Sequence, residues 1–132
     1  MQDPPGGAYV LGLVSAFLRN EVMPQLSGSL AFQVRVAANA VDLARREFEL
    51  APDADAAERV GLATLLGADG ELEAQNAELC ARIRARDIDL NTPGLVDHLR
   101  RTMLAKLAVD QPNYSAYDRA RRAWSEHDNP AA

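Results

Sequence analysis

The chain has 132 residues, a formal net charge of −5 and an isoelectric point near 5.0. This acidity argues against nucleic acids and anionic membranes as partners, because both are bound largely through Lys and Arg. Cys80 is the only cysteine, which excludes an internal disulfide and fits a reducing compartment. The apolar run at residues 8–18 is too short to span a bilayer and follows no basic residue, so we expect a cytoplasmic protein.

The first predicted helix begins near Ala8, because two prolines and two glycines keep residues 1–7 flexible. Ser15 and Arg19 lie on its polar side, which we expect to face solvent. Pro24 ends the helix, since proline lacks an amide hydrogen and clashes with the preceding turn. The residues expected to face the core are Val10, Val14, Phe17 and Leu18.

The second predicted helix is the longest, from about Leu30 to Leu50, and it ends before Pro52. Two apolar stripes follow it, which indicates a central helix contacted from two sides. The first stripe contains Leu30, Val34, Ala37, Val41, Ala44 and Phe48, and the second contains Phe32, Val36, Leu43 and Leu50. A polar stripe is most simply interpreted as a solvated face with local ion pairs. It consists of Arg35, Asn39, Asp42, Arg46 and Glu49.

Helical spacing continues through the rest of the chain, at about residues 55–66, 70–86, 93–109 and 115–125. Asp55 starts a capping-box-like pattern, and Gly67 suits a helix C-terminus. Thr92 is a natural N-cap for the following helix. The expected core residues are Leu72, Leu79 and Ile83 in the second of these segments, and Leu95, Leu99, Met103 and Leu107 in the third.

No segment alternates between apolar and polar residues with a period of two. We therefore predict an all-α, single-domain bundle of five or six helices over residues 1–132. The tail from about residue 126 is expected to be flexible.

The sequence contains no recognisable catalytic or metal-binding pattern, so we expect no metal and no cofactor. His98 and His127 are the only histidines, and neither belongs to a metal-ligand motif. We expect His98 at an exposed or boundary position and His127 in the tail. Cys80 lies within a predicted helix and is interpreted as a partly buried, inert thiol. These features favour a non-catalytic protein over an enzyme.

The candidate site residues are amides, tyrosines and one arginine. Asn76 lies in the apolar face of its helix, where an unpaired amide would cost about 1–3 kcal/mol, so it should have a hydrogen-bond partner. Residues 110–117 form a dense polar turn, either clamped by tyrosine packing or serving as a recognition loop. The candidates for ligand binding or for a polar network are Arg35, Asn39, Asn76, Gln111, Tyr114 and Tyr117.

Several phrases resemble an uncharacterised bacterial family of small helical proteins that carries a domain-of-unknown-function label. The phrases are FLRNEVMPQLSG at 17–28, LAFQVRVAANA at 30–40, LLGADGELEAQNAELCARIR at 65–84 and TPGLVDHLRRTMLAKLAVDQPNYSAY at 92–117. The resemblance extends from about Val10 to Tyr117. It implies genes that often lie beside those for aminoglycoside-phosphotransferase-like kinases and acyl-CoA dehydrogenases, and it supplies no catalytic residues.

Three functional hypotheses follow from the sequence. The first is a non-catalytic accessory or interaction protein for a partner enzyme, such as the kinase or the dehydrogenase that the resemblance implies. The second is a binder of a small carboxylate or phosphate, or a minor enzyme, with an interhelical cleft lined by Arg35, Asn39, Asn76 and Tyr114. The third is a helical homodimer with a structural role, formed by pairing of apolar helix faces.

Overall fold

The computed structural model describes residues 5–128 and the side chains of residues 5–124. Within residues 5–128 it contains five α-helices and no strand, which confirms the all-α prediction. The helices are α1 (Gly7–Phe17), α2 (Gly28–Leu66), α3 (Leu72–Ala85), α4 (Leu95–Asp110) and α5 (Ser115–Asp128). None of the described helices is long and apolar enough to cross a membrane. Of the two predicted flexible ends, residues 1–4 and 129–132 lie outside the described residues, whereas residues 126–128 belong to α5.

Two tight turns continue α1, a π-helical turn at Leu18–Val22 and a 3-10 turn at Met23–Gln25. The backbone becomes extended at Leu26, with φ −118° and ψ 156°, directly after the turn that contains Pro24. The helical turns therefore end next to Pro24, as predicted, although the α-helix itself already ends at Phe17. The π-helical turn was not predicted, and it changes the direction in which the following side chains point, because each of its turns holds an extra residue.

One continuous helix, α2, replaces the two helices predicted on either side of Pro52. The prediction was wrong because it treated this proline as a terminator. An interior proline costs about 3 kcal/mol and removes one hydrogen bond, but alanine, the best helix former, surrounds it at positions 51, 54, 56 and 57. Asp55 therefore lies inside the helix and caps nothing. Gly67, with φ +75°, ends α2 as predicted.

The chain divides into two compact units, one up to Ala51 and one from Pro52 onward. The first unit is an antiparallel helical hairpin, since Arg19 in the π-helical turn after α1 contacts Asp42 of α2, while Gly12 of α1 faces Arg45. Its only fully buried described side chains are small, namely Ser15 and Ala38. That finding corrects the prediction for α1, in which Ser15 and Arg19 faced solvent and Val10, Val14 and Phe17 faced the core. The prediction of a single domain stays a prediction.

The second unit has a compact leucine and isoleucine core. Leu62 of α2, Leu79 of α3, Ile88 of the connecting loop and Leu95 of α4 are buried together. Three half-buried leucines pack against this cluster, Leu65, Leu66 and Leu72. A core of this kind stabilises the unit by removing large apolar side chains from water.

The inward face of α4 is one position away from the predicted stripe. Leu95 is buried as expected, but Leu99 is 44% and Met103 58% exposed, so these two core predictions were wrong. His98 instead occupies the inward position and is only 4% exposed, which corrects its predicted boundary location. The helix begins at Leu95, after Gly94 with φ +83°. Thr92 does not cap it, because its hydroxyl accepts a hydrogen bond from the Asp89 amide and closes the preceding turn.

Candidate functional site

Arg19 forms the main polar contact of the hairpin. Its Nη2 donates to Asn39 Oδ1 at 2.8 Å and to Asp42 Oδ2 at 2.6 Å. Arg19 follows Ser15 by four residues and faces α2 as Ser15 does, so the side of the helix that was expected to face solvent is the side that contacts α2. Asn39 thus finds its partner within the hairpin, and the contact fixes how the two helices align.

The carboxyl of Asp42 remains ionised in this contact. Burial alone raises its pKa, but hydrogen bonds from Arg19 and Ser15 and the positive charges of Arg19 and Arg45 lower it further than burial raises it. The pKa of Asp42 is therefore below its ordinary value. The hairpin contact is consequently an ion pair at neutral pH.

An open groove of about 570 Å³ lies on this polar side of the hairpin, between α1 and α2. Its walls include Arg19 and Asp42, together with Arg45 and Glu49, which form a second ion pair at 2.8 Å. The two positive and two negative charges are thus paired with each other. A small charged ligand could bind here only by exchanging with one of these pairs.

Helical periodicity places exposed apolar side chains of both helices on the opposite side of the hairpin. Val10, Val14 and Phe17 recur on α1 at intervals of four and three residues, and therefore share one side of that helix. Because α1 and α2 are antiparallel, Val10 lies level with Phe48 of α2, and Leu30 extends the α2 stripe toward the start of that helix. All five side chains are exposed. The apolar face is defined here as Val10, Val14, Phe17, Leu30 and Phe48.

The half-buried residues of the first α2 stripe, Val34, Val41 and Ala44, adjoin the apolar face. The second predicted stripe of α2, at Phe32, Val36, Leu43 and Leu50, is exposed as well. The expectation that α2 is covered on both apolar stripes was therefore wrong for this chain alone. The apolar stripes of α2 are exposed because small and polar residues, and not these stripes, form its contact with α1.

Asn76 belongs to a polar contact in the second unit. Its Nδ2 donates to Glu58 Oε1 at 2.8 Å and to the Leu72 carbonyl at 3.1 Å. The prediction that this amide has a hydrogen-bond partner is confirmed. Asn76 thereby ties α3 to α2, which is a structural role.

His98 is packed directly against the backbone of α2. A Cβ atom added at Gly61 would collide with the imidazole Nδ1 and lie 3.1 Å from Cε1, so glycine is required for this close approach. Burial lowers the pKa of His98, the Glu58 carboxylate raises it and Arg101 lowers it, and the net shift is downward. A cavity of about 70 Å³ beside the ring is also lined by Glu58, Arg101 and Thr102. It has room for water but for little else.

The turn between α4 and α5 contains the remaining predicted site residues. The Gln111 amide donates to the Leu107 carbonyl at 2.9 Å, and the Gln111 carbonyl accepts from the Tyr114 amide at 3.0 Å. Tyr114 is exposed, and Tyr117 lies 6.0 Å beneath the guanidinium of Arg121. Near this turn, α4 and α5 enclose an apolar groove of about 370 Å³ whose walls include Met103, Leu107 and Trp124.

The predicted site residues belong to different units. Arg35 and Asn39 lie in the hairpin, whereas Asn76, Gln111 and the two tyrosines lie in the second unit. None of them lines the three grooves and cavities described above, and their role in ligand binding stays a prediction. Cys80 is exposed rather than partly buried, which corrects that expectation. Among the described residues, no three His, Cys, Asp or Glu side chains are grouped closely enough to hold a metal ion.

Comparison with known proteins identifies a family. The family described as "Domain of unknown function (DUF6285)" matches residues 24–114, about two thirds of the chain. The match begins within the hairpin, before α2, and ends at the turn before α5, so it includes the whole of α2, α3 and α4. No curated protein and no solved structure matches the chain. The chain belongs to this uncharacterised family, as the sequence phrases predicted.

Proposed function

We propose that this chain is a non-catalytic interaction protein that binds another polypeptide through the apolar face of its hairpin. The observation that carries the proposal is the exposure of five large apolar side chains on one side of α1 and α2. Monomeric proteins seldom leave a large contiguous apolar patch in water, and such patches commonly mark protein interfaces. The resemblance at the sequence level suggests a phosphotransferase-like kinase or an acyl-CoA dehydrogenase as the partner enzyme.

The proposal is tested by measuring the binding of the full chain to each purified enzyme, by calorimetry at micromolar concentration. We expect Val14→Glu to weaken binding at least tenfold, because it places a charge in the centre of the apolar face. Val60→Glu is the matched control, since Val60 is an exposed valine of α2 in the second unit. The proposal is wrong if the chain binds neither enzyme nor itself, or if both variants weaken binding equally.

The groove on the polar side of the hairpin supports a second candidate function, the binding of a small carboxylate or phosphate. Arg19 and Arg45 supply guanidinium groups that can form paired hydrogen bonds with such anions. Thermal unfolding with acetate, citrate or inorganic phosphate tests this candidate, with Arg45→Gln as the variant that should abolish any stabilisation. An equal shift for the variant, or no shift at millimolar anion, contradicts it.

A further inference from the structure

We infer that the polypeptide bound at the apolar face is a second copy of this chain. This inference rests on the proposed function and names the partner at the same surface. From Gly7 to Leu18, α1 and the start of its π-helical turn carry no charged side chain. Partners that are selected by charge need complementary charged groups at the interface, and this part of the face offers none.

The chemistry of the face matches itself. In a two-fold dimer the same patch is used by both copies, so an uncharged apolar face meets another uncharged apolar face. Homodimer interfaces are also more apolar than interfaces between proteins that exist separately. Val14 and Phe17 of one copy would then contact apolar residues of the other copy, with no buried charge left unpaired.

The size of the face is sufficient for a stable dimer. Two adjacent helices are roughly 20 Å wide, and the length of α1 with its following turns is roughly 25 Å. This footprint is about 500 Å² on each copy, so two copies together reach the roughly 1,000 Å² in total that a specific interface needs. Two hairpins that pack by these faces form a four-helix bundle, the arrangement in which a helical pair buries its remaining apolar side.

The side chains that the hairpin buries support the same arrangement. The contact between α1 and α2 uses Ser15, Ala38 and the Arg19–Asp42 pair, and large apolar side chains of the hairpin such as Leu18, Val34 and Val41 are no more than half-buried. An isolated hairpin of this kind gains little from burial. Pairing of two copies buries the large side chains that the contact within the hairpin leaves exposed.

Sedimentation velocity of the full chain, from 1 to 100 µM, tests the inference. We expect a species of twice the chain mass of 14.3 kDa. Val14→Glu and Phe48→Glu should each raise the dimer dissociation constant at least 100-fold, and Val60→Glu should leave it unchanged. Circular dichroism of each variant establishes whether its helix content is kept. If a variant loses helix at low protein concentration and regains it at high protein concentration, that result also supports a dimer that holds the hairpin together.

Two results would overturn the inference. One is a monomer across the whole concentration range, and the other is a dimer that survives both Val14→Glu and Phe48→Glu. A monomer that still binds one of the enzymes in a Val14-dependent way leaves the proposed function intact and removes only the second copy as partner. A monomer that binds no enzyme removes both.

Discussion

The two units of this chain differ in how they bury their large apolar side chains. The second unit collects large side chains such as Leu62, Leu79 and Leu95 into a core that is closed within the chain. The hairpin buries Ser15 and Ala38 at its helix contact and leaves Phe17 and Phe48 more than half exposed. A large residue in a helical stripe is therefore not necessarily a core residue, because a contact made of small residues can leave the stripe exposed.

Replacing one leucine by alanine in each unit should give the largest difference in the free energy of unfolding between the two units. Leu62→Ala is expected to lower the free energy of unfolding by about 2–5 kcal/mol, because Leu62 is fully buried and its loss leaves a cavity. Leu13→Ala in α1 should cost less than about 1 kcal/mol, since Leu13 is largely exposed. Urea denaturation of both variants at low protein concentration measures the difference. Equal losses would contradict the contrast between the units.

Glycine substitutions provide a second, smaller contrast. Gly61→Ala should cost about 1–3 kcal/mol, because the new methyl group collides with the buried His98 ring. Gly12→Ala, also within a helix, should stabilise by up to about 1 kcal/mol, since its methyl group meets only Arg45 Cδ at 3.5 Å. Thermal denaturation distinguishes the two.

The double variant Gly61→Ala with His98→Ala is the control for this contrast. It removes the ring that the alanine methyl group meets, so the stability cost of Gly61→Ala should become smaller when it is measured relative to His98→Ala. An unchanged cost would mean that the close approach of His98 to α2 is not the cause.

The titration of His98 should make the second unit sensitive to acid. Its pKa in the folded chain is below the ordinary value of 6.5, so the unfolded chain binds the proton more readily. The stability that neutral His98 contributes is present above pH 6.5 and is lost as the pH falls through the lower pKa of the folded chain. Urea denaturation between pH 8 and 5 should show this loss for the natural chain and a smaller one for His98→Gln. A pH profile that is identical in the variant would refute it.

The Arg19–Asp42 pair should give the smallest effect. Because both side chains are partly exposed, a double-mutant cycle of Arg19→Ala and Asp42→Ala should give a coupling of no more than about 1 kcal/mol. The lowered pKa of Asp42 means that this contribution is present above pH 3.8 and is lost as the pH falls below that value. A coupling that is unchanged at pH 2.5 would contradict the ion pair.

Helix content was predictable from the sequence, but the direction of the helix faces was only partly so. On α4 the neighbouring positions Leu99 and His98 compete for the inward side, and hydrophobicity favours the leucine. The imidazole faces inward because Gly61 of α2 provides space for it, and that space depends on a residue 37 positions away in the sequence. A stripe on a single helix contains no information about such a neighbour.

The candidate site was predictable to a similar extent. Periodicity correctly indicated that Asn76 needs a partner, because a half-buried amide must be hydrogen-bonded. It placed Arg19 on the solvent side, because the contact beside Ser15 uses small and polar residues, which leave no apolar pattern in the sequence. The apolar residues of α1 were recognised as one stripe, but the sequence could not say whether the chain itself or a partner covers them.

Hydrogen–deuterium exchange at several protein concentrations tests the central claim most directly. Association stabilises only what it binds, by mass action. We expect amides of α1 to exchange more slowly as the protein concentration rises from 1 to 100 µM, and Val14→Glu to abolish this change. Amides of α3 around Leu79 should exchange at a rate independent of concentration. Exchange in α1 that is slow and unchanged at every concentration would contradict the claim that its apolar face is completed by a partner.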